Sequence, residues 1–282
     1  MSSISRDFRR RYLNVHEPYL DAIWAITVPS GDSKVIRRID IPSSLIKELK
    51  ESGQPDESRS IRAMRNAWYH ECAFFFSEND EEWLKFPPWR IIQFYYSIYC
   101  MLSAMVRCVD NTRRLAHQTM INKFTERFVM HDGLSQVLFF APFCFYVDKE
   151  GNVCPEPAYR ISRTYAREND FPRLCRCLKN VPNRSNKPIS VFHYFKLLRE
   201  WATYEDSYIF INLYGPSVRD KLKHCLQHIL PAFLTIGENF LVAFWGADKI
   251  RTELEIFISK MVSITGYSPS TIQSRFDEYK YF

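Results

Sequence analysis

The chain has 282 residues, 46% hydrophobic and 16% aromatic, enough for one large core or a core with appendages. Glycine is scarce at 8 residues, and no GxGxxG or GxxxxGK[ST] run occurs, which excludes the usual glycine-rich nucleotide cradles. The net charge of +6 permits a polyanion partner, and ordinary solvation explains it equally well.

The N-terminus is polar and basic, unlike a secretory signal, so a reduced cytoplasmic setting is expected. Arg6, Arg9, Arg10 and Arg11 stand between Phe8 and Tyr12, as a phosphate-contacting arm or as a solvated one. Residues 20–42 predict a β-hairpin: β-branched and aromatic runs flank a Pro-Ser-Gly-Asp turn. A short helix is expected over 43–52, a linker after it, and a longer helix over 58–78. Pro87 and Pro88 suit the first turn of the next helix, over 88–109. That helix is apolar on nearly every face, so it belongs in the middle of a bundle. Its charge-free part, 91–106, is 16 residues long. That is short of the roughly 20 that span a bilayer, so a core helix and no membrane contact are expected.

A polar stretch with Arg113 and Arg114 leads to His117, and a helix is expected over about 113–130. His117 beside that stretch reads as a phosphate or base contact, or as a capping and packing histidine. Residues 140–188 read as an insertion: two strands about an Asp-Lys-Glu-Gly-Asn turn, then a basic run from Arg160 to Lys187. Helices resume at 189–205, at 217–245 with Pro231 inside, at 247–263 and at 269–279. Most of the 8 cysteines lie in apolar runs, where a free thiol packs as a small hydrophobe. Cys175 and Cys177, with Cys154 upstream, lack zinc-ligand spacing, so neither a metal nor another cofactor is expected.

Three stretches together resemble the HEPN superfamily (higher eukaryotes and prokaryotes nucleotide-binding). FYYSIYCMLSAM at 94–105 is similar to its central helix. His117 with TMINKFTERFV after it is similar to its single histidine before the next helix. LLREWATYED at 197–206 is similar to its Leu-Arg-x-x-Ala-Asp-Tyr element, and 217–245 to its closing helix. The resemblance implies a mainly α fold: a HEPN-like helical bundle, paired as a homodimer, with the N-terminal β-hairpin and the small β-containing insertion as additions. The domains expected are 1–55, an extension; 56–250, the helical domain with its insertion at 140–188; and 251–282, a helical tail.

Catalytic members carry an Arg-x(4–6)-His motif. The arginine holds the scissile phosphate and the histidine moves a proton, with no metal required. Here Arg65, Asn66 and His70 fit that spacing, although positions five apart on a helix diverge by about 140°. The motif usually stands later in the chain, where this sequence has Arg199 and, in the histidine's place, Tyr204. Two readings follow. In one, the chain is a metal-independent endoribonuclease of a defence or toxin-type system, with Arg65, Asn66 and His70 catalytic. Arg113, Arg114, His117, Arg199 and Tyr204 then contact RNA or nucleotide. In the other, it is a non-catalytic scaffold or antitoxin-type subunit bound to a protein partner.

Overall fold

A computed structural model of the chain describes residues 41, 43–76, 87–111, 115–129, 145–147, 153–155, 191–204 and 216–279. They are mainly helical: α1 Ser43–Ser52, α2 Glu57–Phe75, α3 Pro87–Val109, α4 His117–Phe124, α5 Val191–Tyr204, α6 Pro216–Trp245, α7 Ala247–Thr265 and α8 Ser270–Tyr279. A single π-helical turn, Thr125–Val129, continues α4. Phe145–Val147 (β1) pairs antiparallel with Val153–Pro155 (β2), Tyr146 opposite Cys154. The basic arm, the hairpin expected at 20–42 and most of 140–188 lie outside the described residues.

The described chain divides into two compact units. One holds 125–129, β1, β2, α5 and the first part of α6, up to Ile229. In it, Phe192 and Tyr194 each pack a ring against Phe195, and Lys196 pairs with Glu200 one turn on. The other unit holds α1, α2, most of α3, α4, the rest of α6, α7 and α8. Helix α6 runs without a break through Pro231, which lies just past the division. Its segment Asp220–Trp245 is long and apolar enough to cross a membrane, yet most of it is buried within the fold, as in the core helix of a globular protein.

Within the second unit, local chemistry sets the helix ends. The Asp56 side chain accepts from Arg59 N at 3.0 Å and caps α2. The linker before it turns back onto the end of α3. Gln54 N donates to Val109 O at 3.3 Å and Asp56 N to Arg107 O at 2.9 Å, satisfying carbonyls that a helix end leaves open. A Cβ on Gly53 would meet Val109 O at 2.7 Å, so this close approach requires glycine. Gly266, at φ 68°, closes α7 in the left-handed conformation, its N–H returning to Val262 O.

Helix α3 is the centre of this unit. Ile91, Phe94, Tyr95, Ile98, Met101, Leu102, Ala104, Met105, Val106 and Cys108 are buried. Its buried hydroxyl Ser97 donates to Ala67 O at 2.7 Å, and Ser60 of α2 donates to Ala104 O at 2.9 Å. Residues late in one helix thus meet residues early in the other, so α2 and α3 are antiparallel. Gly237 brings α6 close to α3, since a Cβ there would run into the Met101 side chain. Helix α7 runs parallel to α2: Lys249 pairs with Glu57, Arg65 with Glu253, and Trp68 packs on Phe257 at 5.5 Å.

At the core, three helices meet through charge. Arg275 of α8 donates to both oxygens of Glu71, at 2.7 and 2.6 Å, and its Nε donates to Glu238 Oε2 at 2.9 Å. Trp68 Nε1 donates to Glu238 Oε1 at 2.7 Å. Arg275 is 6% exposed, Glu238 1%, and Glu71 and Trp68 0%, so water does not compensate these groups. Desolvation works against the Arg275 charge, but Glu238 and Glu71 outweigh it and raise its pKa. Desolvation, reinforced by Glu238, holds the Glu71 carboxyl above its ordinary value of 4.5 despite Arg275.

Two outcomes follow from this cluster. Arg275→Met leaves two buried carboxylates without their cation and should cost about 3–5 kcal/mol in urea unfolding at neutral pH. Glu71, its folded pKa raised, contributes stability that is full below 4.5 and lost as pH rises through the raised value. Urea midpoints taken from mildly acidic to neutral pH should therefore fall more for the native chain than for Glu71→Gln.

Candidate functional site

The buried cluster sets the rotation of α2. Ser60, Met64, Ala67, Trp68, Glu71 and Cys72 face the core. The 3.6-residue period then turns Arg62, Arg65, Asn66 and Tyr69 to solvent and leaves His70 half-buried at the edge. Asn66 and His70, four residues apart, share a face. Arg65 does not join them: its guanidinium pairs with Glu253 of α7.

His70 packs against α3. Its Nδ1 lies 2.8 Å from Gln93 Oε1, and its ring stacks on Tyr96 with centroids 5.4 Å apart. With a carbonyl oxygen facing Nδ1, that nitrogen carries the proton and Nε2 is the basic one. Gln93 is buried, so the ring is held by a partner that is itself fixed.

His117, the first residue of α4, reaches the same side of α3. It stacks on Tyr99 at 4.0 Å, lies parallel to Tyr95 at 5.6 Å and meets Tyr96 edge-on at 5.8 Å. The Tyr95 hydroxyl is 2.7 Å from His117 Nδ1, and the donor depends on the imidazole tautomer. Tyr99 follows Tyr96 by three residues and Tyr95 by four, so it shares a helix flank with each of them. An ion pair between Lys123 and Asp110 ties α4 back to the end of α3.

The result is a connected row of rings: Tyr69, His70, Tyr96, His117, then Tyr95 and Tyr99. Both imidazoles contact one phenol, Tyr96. Burial raises the Tyr99 pKa further, Cys100 adding to it, so this phenol stays a hydrogen-bond donor at neutral pH. The thiols nearby are poor nucleophiles. Burial pushes Cys72, Cys100 and Cys108 up to about 12. Among the described residues, no group of three or more His, Cys, Asp or Glu is placed to hold a metal.

Of the residues singled out in the sequence, His70 and His117 are thus brought to one place, with Asn66 one turn before His70 on the same face of α2. Arg113 and Arg114 lie outside the described residues. Arg199 and Tyr204 stand on α5, in the other unit; Arg199 is half-buried and its carbonyl accepts from Thr203 at 2.8 Å. Sequence reasoning missed Gln93, Tyr95, Tyr96 and Tyr99 as site residues, because they fall within a helix read as core. The available signal was a glutamine and three phenols within seven positions of a charge-free run.

Tyr95→Phe removes the hydroxyl facing His117 and should lower unfolding free energy by about 0.5–1.5 kcal/mol. It should also shift the His117 ring-nitrogen resonances while leaving those of His70 in place. Comparison of the chain with protein-family models, with curated proteins and with solved structures finds no match.

Proposed function

We propose that this chain is an RNA-directed, HEPN-like protein in which His70 and His117 act as an acid–base pair for metal-independent endoribonuclease chemistry. The observation that carries the reading is the placement of both imidazoles within 6 Å of the Tyr96 ring, at 5.4 and 5.8 Å. Stacked aromatic faces suit unpaired bases, which pack on such rings in single-stranded RNA. In the proposed step, Nε2 of His70 takes the proton of a ribose 2′-hydroxyl. The oxygen attacks phosphorus, the 5′-oxygen departs with a proton from protonated His117, and a 2′,3′-cyclic phosphate forms. Arg113, Arg114 and the basic run at 160–187 supply phosphate contacts in this reading, with affinity that falls as salt rises.

The scaffold reading draws on a different observation. Arg65 is turned to Glu253 and away from His70, so the proposed arginine–histidine pair is not assembled within one chain. In that reading the ring row is an interaction face for a protein partner.

Labelled single-stranded RNA incubated in EDTA separates the two. The first reading expects cyclic-phosphate ends from the native chain and a loss of about 100-fold or more in His70→Ala and in His117→Ala. Intact RNA with the native chain at every concentration, or undiminished cleavage by both variants, would sink the catalytic assignment.

A further inference from the structure

Away from the ring row, helix α6 carries a second pair of imidazoles. His224 and His228 are one turn apart, with ring centroids 4.1 Å from each other and planes 54° apart. His228 is exposed and His224 half-buried, so the pair opens to solvent on the His228 side. From this geometry we infer that His224 and His228 form a two-imidazole binding site for a first-row divalent transition-metal ion.

The spacing is what such an ion requires. Side chains at i and i+4 leave one helix face with Cβ atoms about 5–6 Å apart, and a zinc–nitrogen bond is about 2.0–2.1 Å long. One ion held by both rings requires their centres to move apart from the present 4.1 Å. Coordination uses a single nitrogen of each ring and leaves the other for a hydrogen bond, the usual arrangement around metal-bound histidine. Imidazole suits zinc, copper and nickel rather than magnesium or calcium.

One further feature supports the site: it lies beside a gap in the helical hydrogen-bond ladder. Pro231 has no N–H, so the carbonyl of Gln227, between the two histidines, loses its helical donor. An ion joining His224 to His228 ties together the turn that contains Gln227. Among the described residues no third protein ligand stands with the pair.

The test is calorimetric titration of the full chain with zinc chloride, repeated with nickel chloride, on the native protein, His224→Gln and His228→Gln. The expected result is a single-ion event weakened at least tenfold by either substitution, with His70→Gln indistinguishable from the native chain. Slower amide exchange across 224–231 in zinc should accompany it in the native chain alone. His228 is exposed, so His228→Gln tests the site even where His224→Gln fails to fold. Equal affinity in the native chain and His228→Gln, or no binding by the native chain up to millimolar metal, overturns the assignment. Neither result bears on the RNA chemistry of the ring row.

Discussion

The buried guanidinium of Arg275, held between Glu71 and Glu238, is the constraint on which the second unit depends. It joins α2, α6 and α8 at a point water does not reach. Such a cluster is costly to assemble, because three charged groups lose hydration at once. Its effect is specificity of arrangement. Only one rotation of α2 puts Glu71 and Trp68 inside together, and only one placement of α8 brings a guanidinium to meet them.

That rotation decides what the surface of α2 presents. With Trp68 and Glu71 inward, His70 must stand at the edge, against Gln93 and Tyr96. The candidate site therefore rests on the core indirectly, through the angular period of one helix. The other imidazole arrives by another route. Helix α4 begins at His117, and its first turn lies along the phenols of α3. Two histidines from separate helices converge because α3 is flanked by both. An apolar central helix that also carries a row of phenols serves as core on most faces and as platform on one.

Charge is used differently at the surface. Arg65 with Glu253 and Lys249 with Glu57 run along the seam between α2 and α7. Pairs this exposed contribute little to stability, but they fix where long side chains rest. Here that matters for chemistry, since the seam takes Arg65 away from His70. The protein thus separates an arginine and a histidine that lie five positions apart on one helix.

Much of the fold was legible in the sequence. The helices over 43–52, 57–75, 87–109, 191–204, 216–245, 247–265 and 270–279 lie within a few residues of the spans that periodicity, the proline pair and the loop residues indicate. Local rules set these boundaries: caps, glycine and proline act over a few residues, and the sequence displays them directly. The charge-free, mostly apolar character of 91–106 likewise determined that this helix would be central. What only the tertiary structure decided is which side chains meet. Glu71 and Arg275 are separated by 204 positions, and their pairing depends on the packing of three helices. His70 and His117 read as separate candidates in the sequence, and only the antiparallel course of α2 and α3, with α4 laid beside them, brings both to Tyr96. Local order follows from short-range backbone chemistry, whereas a site follows from long-range packing, whose partners no spacing along the chain reveals.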